Sequence, residues 1–156
     1  MSNDSKHSLL LADIRQLVAT FRTVLMATAT SDGDPEISYS PYAIHEGLLY
    51  VFVSDLSLHT GNLKDNPRAS LLFIENESDC DNLHARRRST FRCTATLIPR
   101  EDPSWELVLD CMTGRFGEIM PVLKSLPDFH LFAMKPDTVV FVKGFADAHT
   151  LEFNSF

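Results

Sequence analysis

Apolar positions along the chain alternate between a helical period of about 3.6 and a strand period of two, and each change of period marks the edge of an element. Leu10, Ile14, Leu17, Val18 and Phe21 recur at helical spacing after Ser8, a residue able to cap, so an N-terminal helix with one apolar stripe is expected. Residues 23–30 then read as a strand, and Ser31-Asp32-Gly33-Asp34-Pro35 as a turn. Residues 36–44 return antiparallel, and His45-Glu46-Gly47 turns the chain tightly into residues 48–53. This predicts a meander of three hairpin-linked strands. No helical pattern interrupts them, which argues against a doubly wound parallel sheet.

The pattern changes between Leu49 and Glu75. Leu49, Tyr50, Val51, Phe52 and Val53 form one β-branched and aromatic run and residues 69–74 a second, with a short polar stretch between. Ser57 is placed to cap a helix there, its hydroxyl accepting an early backbone N–H, and Asn66-Pro67 ends it because the residue before proline is pushed out of helical geometry. A polar helix start between core strands suits an anion. The same residues serve equally as a plain crossover connection.

Beyond this, residues 75–81 carry Glu75, Glu77, Asp79 and Asp81 and mark a solvated loop. Residues 89–99 alternate, with Phe91, Cys93, Ala95 and Leu97 on one face and Thr90, Arg92, Thr94 and Thr96 on the other. Asp102-Pro103-Ser104-Trp105 opens a helix with Trp105, Val108, Leu109 and Met112 on its buried side, and Gly114 and Gly117 bracket its end. A short helical piece at 118–126 leads into strands at 129–134 and 138–145, turned by Lys135-Pro136-Asp137. The fold class expected is mostly β with flanking α, a six- to seven-stranded antiparallel barrel, since closure removes exposed edges. The chain reads as a single domain, 1–156, with an N-terminal helix at 1–22 and a barrel core at 23–99. A helical insertion at 100–127 and closing strands at 128–148 complete it.

Composition narrows the function. With 156 residues and 44% apolar content the chain can bury one core, and its net charge of −7 speaks against general nucleic-acid binding and for a small-molecule partner. No apolar run approaches the roughly 20 residues of a membrane span, and the N-terminus lacks the layout of a secretion signal, so a cytoplasmic location without membrane contact is expected. Cys80, Cys93 and Cys111 have no paired spacing, and the six histidines show no metal-ligand spacing. GxSxG is absent. Redox chemistry would therefore belong to a bound cofactor.

Several strings go further. SLHTGNLKDNPRAS (57–70) resembles the signature of the pyridoxamine 5′-phosphate oxidase-like, FMN-binding split barrel. ISYSPY (37–42), LHARRRSTF (83–91), RFGEI (115–119), LPDF (126–129) and VKGF (142–145) are together similar to its haem-utilisation (HugZ/HutZ-type) branch. The resemblance implies a homodimer with a cofactor, haem or FMN, in clefts where two barrels meet. In flavin-binding members an arginine and a lysine follow the capping serine and neutralise the phosphate; here Leu58 and His59 stand there. In the haem-degrading branch a C-terminal histidine holds the iron and an aspartate in the position of Asp128 orients it; this chain reaches Phe156 without that histidine.

The cofactor-binding candidates are Ser38, Ser54, Ser57, His59, Thr60, Asn62, Arg86, Arg88 and Thr90. His59 and His84 are the candidate haem ligands, and Asp128 is the one catalytic candidate. Arg86 and Arg88 suit phosphate or propionate geometry, and pair equally well with the nearby acids. The function expected is haem or flavin binding at a homodimer interface, with a haem-degrading or redox role; the alternatives are an FMN-dependent oxidoreductase and a cofactor-free binding module.

Overall fold

The computed structural model describes residues 2–156. Helix α1, Asn3–Thr20, starts earlier than expected: Ser2 is its cap, accepting the Ser5 N–H at 3.3 Å, and Ser8 lies inside the first turns. Its stripe of Leu10, Ile14, Leu17 and Val18 is buried.

Strand β1 (Thr23–Ala29) pairs antiparallel with β2 (Pro35–Pro41). The predicted second strand is in fact two. After β2 the chain breaks at Tyr42 and continues as β3 (Ala43–His45), which pairs with β4 (Leu48–Ser54). The sheet then adds β5 (Arg68–Ile74), β6 (Arg88–Ile98), β7 (Phe129–Gly144) and β8 (Asp147–Glu152). Its order is β2-β1-β5-β6-β7-β4-β3, with β8 beside β7. β2 and β3 therefore stand at opposite ends of one sheet although Tyr42 alone separates them in the chain. That residue closes the barrel: its side chain is buried, and its hydroxyl reaches the carbonyls of Val18 and Phe21 at 2.5 and 2.7 Å. The simple meander fails because the strand after the first turn feeds both edges of the sheet.

Two more expectations change. Lys135-Pro136-Asp137 is not a turn: β7 runs through it, and opposite β6 the register slips so that Arg92 faces Thr138 and Cys93 faces Pro136, leaving Asp137 as an extra residue. Such a bulge is one of the few places a proline fits within a sheet. β8, turned by Ala146 at φ 56°, extends beyond the predicted closing strands. The sheet thus has eight strands against the six or seven expected.

Helix α3 (Pro103–Phe116) is capped by Asp102, which accepts the Ser104 N–H at 2.8 Å, and its Trp105, Val108, Leu109 and Met112 are buried as the spacing predicts. Gly117 ends it at φ 79°, and α4 (Ile119–Ser125) folds back against it. β4 is apolar throughout because it is covered on both faces. Leu49, Val51 and Val53 point into the barrel, while Tyr50 and Phe52 lie under α3 and α4. One barrel end is stoppered by the segment after β8. Phe153 and Phe156 pack on Phe91 with ring centroids at 4.9 and 4.8 Å, and the Phe156 N–H donates to the Gly47 carbonyl. The last helix in space, α2 (Leu58–Asp65), connects β4 to β5.

Candidate functional site

The end of β4, the start of α2, strand β2 and Phe129 enclose a cleft of about 440 Å3. Side chains two apart on β2, Glu36, Ser38 and Ser40, face it, as the strand period requires. Ser54, Ser57, Leu58 and His59 come from the β4–α2 junction.

The junction is fixed by its own backbone. Ser57 occupies the cap position, but its hydroxyl makes no capping bond, contrary to expectation. Instead its N–H donates to the Ser54 carbonyl and its own carbonyl accepts the Thr60 N–H, both at 3.1 Å. Ser57 itself lines the cleft. Thr60 is fully buried, its hydroxyl donating to the Ser54 carbonyl at 2.5 Å, and Asn62 donates to the Thr28 hydroxyl at 3.1 Å. These two fasten α2 to the barrel and do not line the cleft.

His59 brings an imidazole to the cleft. It is 7% exposed, its Nδ1 lies 2.8 Å from the Ser38 hydroxyl, and among the described residues its Nε2 has no hydrogen-bond partner. Burial pushes its pKa below the ordinary value and so favours the neutral imidazole, against an opposing pull from the Glu36 carboxylate. A neutral ring anchored through one nitrogen with the other unengaged is the form in which histidine binds metals. At the other wall the Ser54 hydroxyl donates to Asp128 at 2.8 Å and accepts the Leu56 N–H at 3.1 Å. Asp128 therefore orients Ser54 from the rim of the cleft.

Arg86, Arg88, Thr90 and His84 lie elsewhere in the chain. β6 is separated from β2 by β5 and β1. Arg86 donates to the Glu75 carbonyl at 3.0 and 2.6 Å and sits 3.8 Å from Glu77, and Arg88 donates to the Arg86 carbonyl at 2.9 Å. Thr90 lies on the outer face, paired between Leu72 and Val140. His84 is exposed on a single 3-10 turn.

Sequence reasoning missed Glu36, Phe52 and Phe129 as lining residues, although Glu36 and Ser38 share the two-residue period of β2. It also missed a polar cluster beside α2, where Asp55 accepts from Lys64 at 2.7 Å and meets His130 Nε2 at 2.9 Å. Those bonds hold the Asp55 carboxyl below its usual range, Lys64 first and His130 second.

An antiparallel barrel whose closing strand breaks at Tyr42, with a cleft at the helix between β4 and β5, is a split barrel. The chain belongs to the pyridoxamine 5′-phosphate oxidase family, whose model matches residues 10–143. It is 36% identical to the heme oxygenase HutZ of Vibrio cholerae over 137 residues, 88% of this chain and 78% of that protein. The crystal structure of HutZ, there called the heme storage protein, superposes with a TM-score of 0.76 at 34% identity, covering 80% of this chain and 88% of the other. That of Campylobacter jejuni ChuZ gives 0.85 at 26% identity, over 95% of this chain and 62% of the other.

The cleft's residues bear differently on the two groups such proteins suggest. Among the described residues no lysine or arginine lines it, Glu36 adds a negative charge, and Leu58, 70% exposed, is apolar. A phosphate held away from water needs paired cations or several donors, and among the described residues this lining offers hydroxyls and an imidazole but no cation. An iron porphyrin asks for a neutral imidazole and apolar walls, and His59, Phe52, Phe129 and Tyr39 supply both.

Proposed function

We propose that this protein binds haem in the cleft beside α2, as a homodimer, in the service of haem utilisation. The observation that carries the reading is His59, buried among the residues that line the cleft, with Nδ1 2.8 Å from the Ser38 hydroxyl, Nε2 without a partner among the described residues, and burial favouring the neutral ring. Bound haem supplies the iron. His59 would hold it, Ser38 would fix the ring that does so, and Ser54 with Asp128 would set the polar edge.

The homodimer is supported by an unpartnered apolar row on the outer sheet face. Tyr39, Leu25, Leu72, Thr90 and Val140 are directly paired across five neighbouring strands, so they share one face, and Tyr39 also lines the cleft. Leu25, Tyr39 and Val140 are exposed, with Ile37 beside them. Contiguous apolar surface of this kind marks a protein contact. A second copy docked there brings the partner's Arg88, and Arg86 next to it, toward the cleft that lacks a cation of its own, where propionates would meet them.

Titrating purified protein with haem tests the reading. A saturable Soret shift at one haem per chain is expected, lost in His59→Ala, and no shift at stoichiometric protein refutes it. The mass in solution by light scattering is expected to be twice that of the chain. HutZ is named both an oxygenase and a storage protein, so turnover is a separate measurement: loss of the Soret band with a reductant and oxygen. The family model keeps an FMN-dependent oxidoreductase as the second reading, and quenching of FMN fluorescence at equimolar protein would favour it. A chain that takes up neither group would be a cofactor-free binding module.

A further inference from the structure

The polar cleft has an apolar neighbour. α3 and α4 close over the outer side of β4 and leave a cavity of about 260 Å3 among Phe52, Met112, Phe116, Met120 and Leu123, with Ile119 at its mouth. Phe52 and Pro41 border both this cavity and the cleft, so the two are neighbours across one aromatic ring. Among the described residues the only polar side-chain atoms lining the cavity are the weakly accepting sulfurs of Met112 and Met120, and a water inside would lack the two to four polar partners that hold a buried water. A dry apolar cavity of about 150 Å3 already binds benzene, so this one has room for a ring or for the edge of a larger one. Its wall can adapt: Met112 and Met120 are buried, flexible and polarizable, and α4 is joined at one end through Gly117 at φ 79°. The mouth stays apolar where solvent begins, with Ile119 52% exposed.

We propose that this cavity takes the apolar edge of the ligand whose iron sits at His59, so that cleft and cavity together are shaped for a large planar amphiphile, a metalloporphyrin with its vinyl-bearing side toward Met112 and Met120. The proposal rests on the haem reading above. Charge points the same way as shape: the cleft offers hydroxyls, one imidazole and one carboxylate, and the cavity offers hydrocarbon, which is a poor match for a phosphate-ended ligand. Two adjoining spaces of about 440 and 260 Å3 also fall within the roughly 300 to 1,000 Å3 usual for small-molecule sites.

The test uses the whole chain with two haems that differ only at that edge: protohaem, which carries vinyl groups, and deuterohaem, in which hydrogens replace them. The parent is expected to bind protohaem about tenfold more tightly, since burying even a few carbon atoms accounts for a factor of that order. Ile119→Trp, which fills the mouth from an exposed position, is expected to erase that preference and leave the melting temperature within a few degrees. In parent protein carrying 13C-methyl methionine, toluene alone is expected to shift the Met112 and Met120 signals saturably, a readout independent of any variant. Soret shifts with equal affinities for both haems and unmoved methionine signals would overturn the proposal and leave haem binding standing. No Soret shift with either haem would remove the haem reading and this proposal with it.

Discussion

Ser38→Ala is the most discriminating single change at the site. Its hydroxyl lies 2.8 Å from His59 Nδ1 and is the one polar contact of that ring among the described residues. Alanine keeps the strand and removes the anchor, so the imidazole loses its fixed tautomer and orientation. Truncating such an outer partner of a metal-binding histidine lowers affinity about 10- to 100-fold, equivalent to roughly 1.4 to 2.7 kcal/mol. The cost in folding is smaller. A hydrogen bond of this kind contributes about 0.5 to 1.5 kcal/mol, which for a domain of this length shifts the melting temperature by about 1 to 6 °C. The assay pairs haem titration, followed at the Soret band, with thermal unfolding of the unliganded protein. Ser38→Thr, which restores a hydroxyl on a residue that strands accept, is expected to recover most of the affinity. If Ser38→Ala binds haem within twofold of the parent while its melting temperature falls as expected, the contact is structural only and the iron does not sit on His59.

Further outcomes follow from other parts of the molecule. Because burial lowers the His59 pKa, the unfolded chain takes up a proton near pH 6.5 and the folded chain only at lower pH. The stability due to neutral His59 is then complete above about pH 6.5 and declines as pH falls toward the folded value, a slope that unfolding curves of His59→Gln should lack. Gly47 sits at φ 79° and a β-carbon there would run into the Ser155 hydroxyl, so Gly47→Ala is expected to cost about 1 to 2 kcal/mol in backbone strain beyond that overlap. Adding Ser155→Gly should recover the overlap and leave the strain; full recovery would show that strain is absent. Phe153→Ala removes a ring packed against Phe91 and Phe156 and is expected to cost about 3 to 5 kcal/mol in urea unfolding, whereas a loss below about 1 kcal/mol would mean the stopper carries no load.

The sequence was most legible where one local rule decided the outcome. Trp105, Val108, Leu109 and Met112 are buried because a capped amphipathic helix has a single way to lie on a sheet, and Phe91, Cys93 and Ala95 point inward because strand β6 alternates. It was least legible where the barrel closes. Nothing in ISYSPYAIH marks Tyr42 as the point where the chain leaves one sheet edge for the other, because the break is set by distant carbonyls in and after α1 that receive its hydroxyl. Lys135-Pro136-Asp137 misled for a related reason: proline and aspartate favour turns locally, but β6 supplies a partner strand long enough to absorb them as a bulge.

The candidate residues divide by what the fold leaves each of them to do. Ser57, His59, Thr60 and Asn62 are close in sequence, yet Thr60 and Asn62 point into the structure and bind α2 to Ser54 and Thr28. An 8-residue helix wedged between strands has only its first turn toward the cleft, so Ser57 and His59 alone remain for a ligand. The arginines divide by strand order, since β1 and β5 lie between β2 and β6 in the sheet. In the homodimer proposed above, the outer row from Tyr39 to Val140, shared with a second copy, would unite them. That neither Leu58 nor His59 is a permanent cation then has a physical consequence. With no permanent cation lining it among the described residues, the cleft would depend, in the proposed dimer, on the partner for its anion-binding side and on His59 for the iron. In a flavin site that dependence would be a defect; in a haem site it separates the propionate side of the ligand from the iron side.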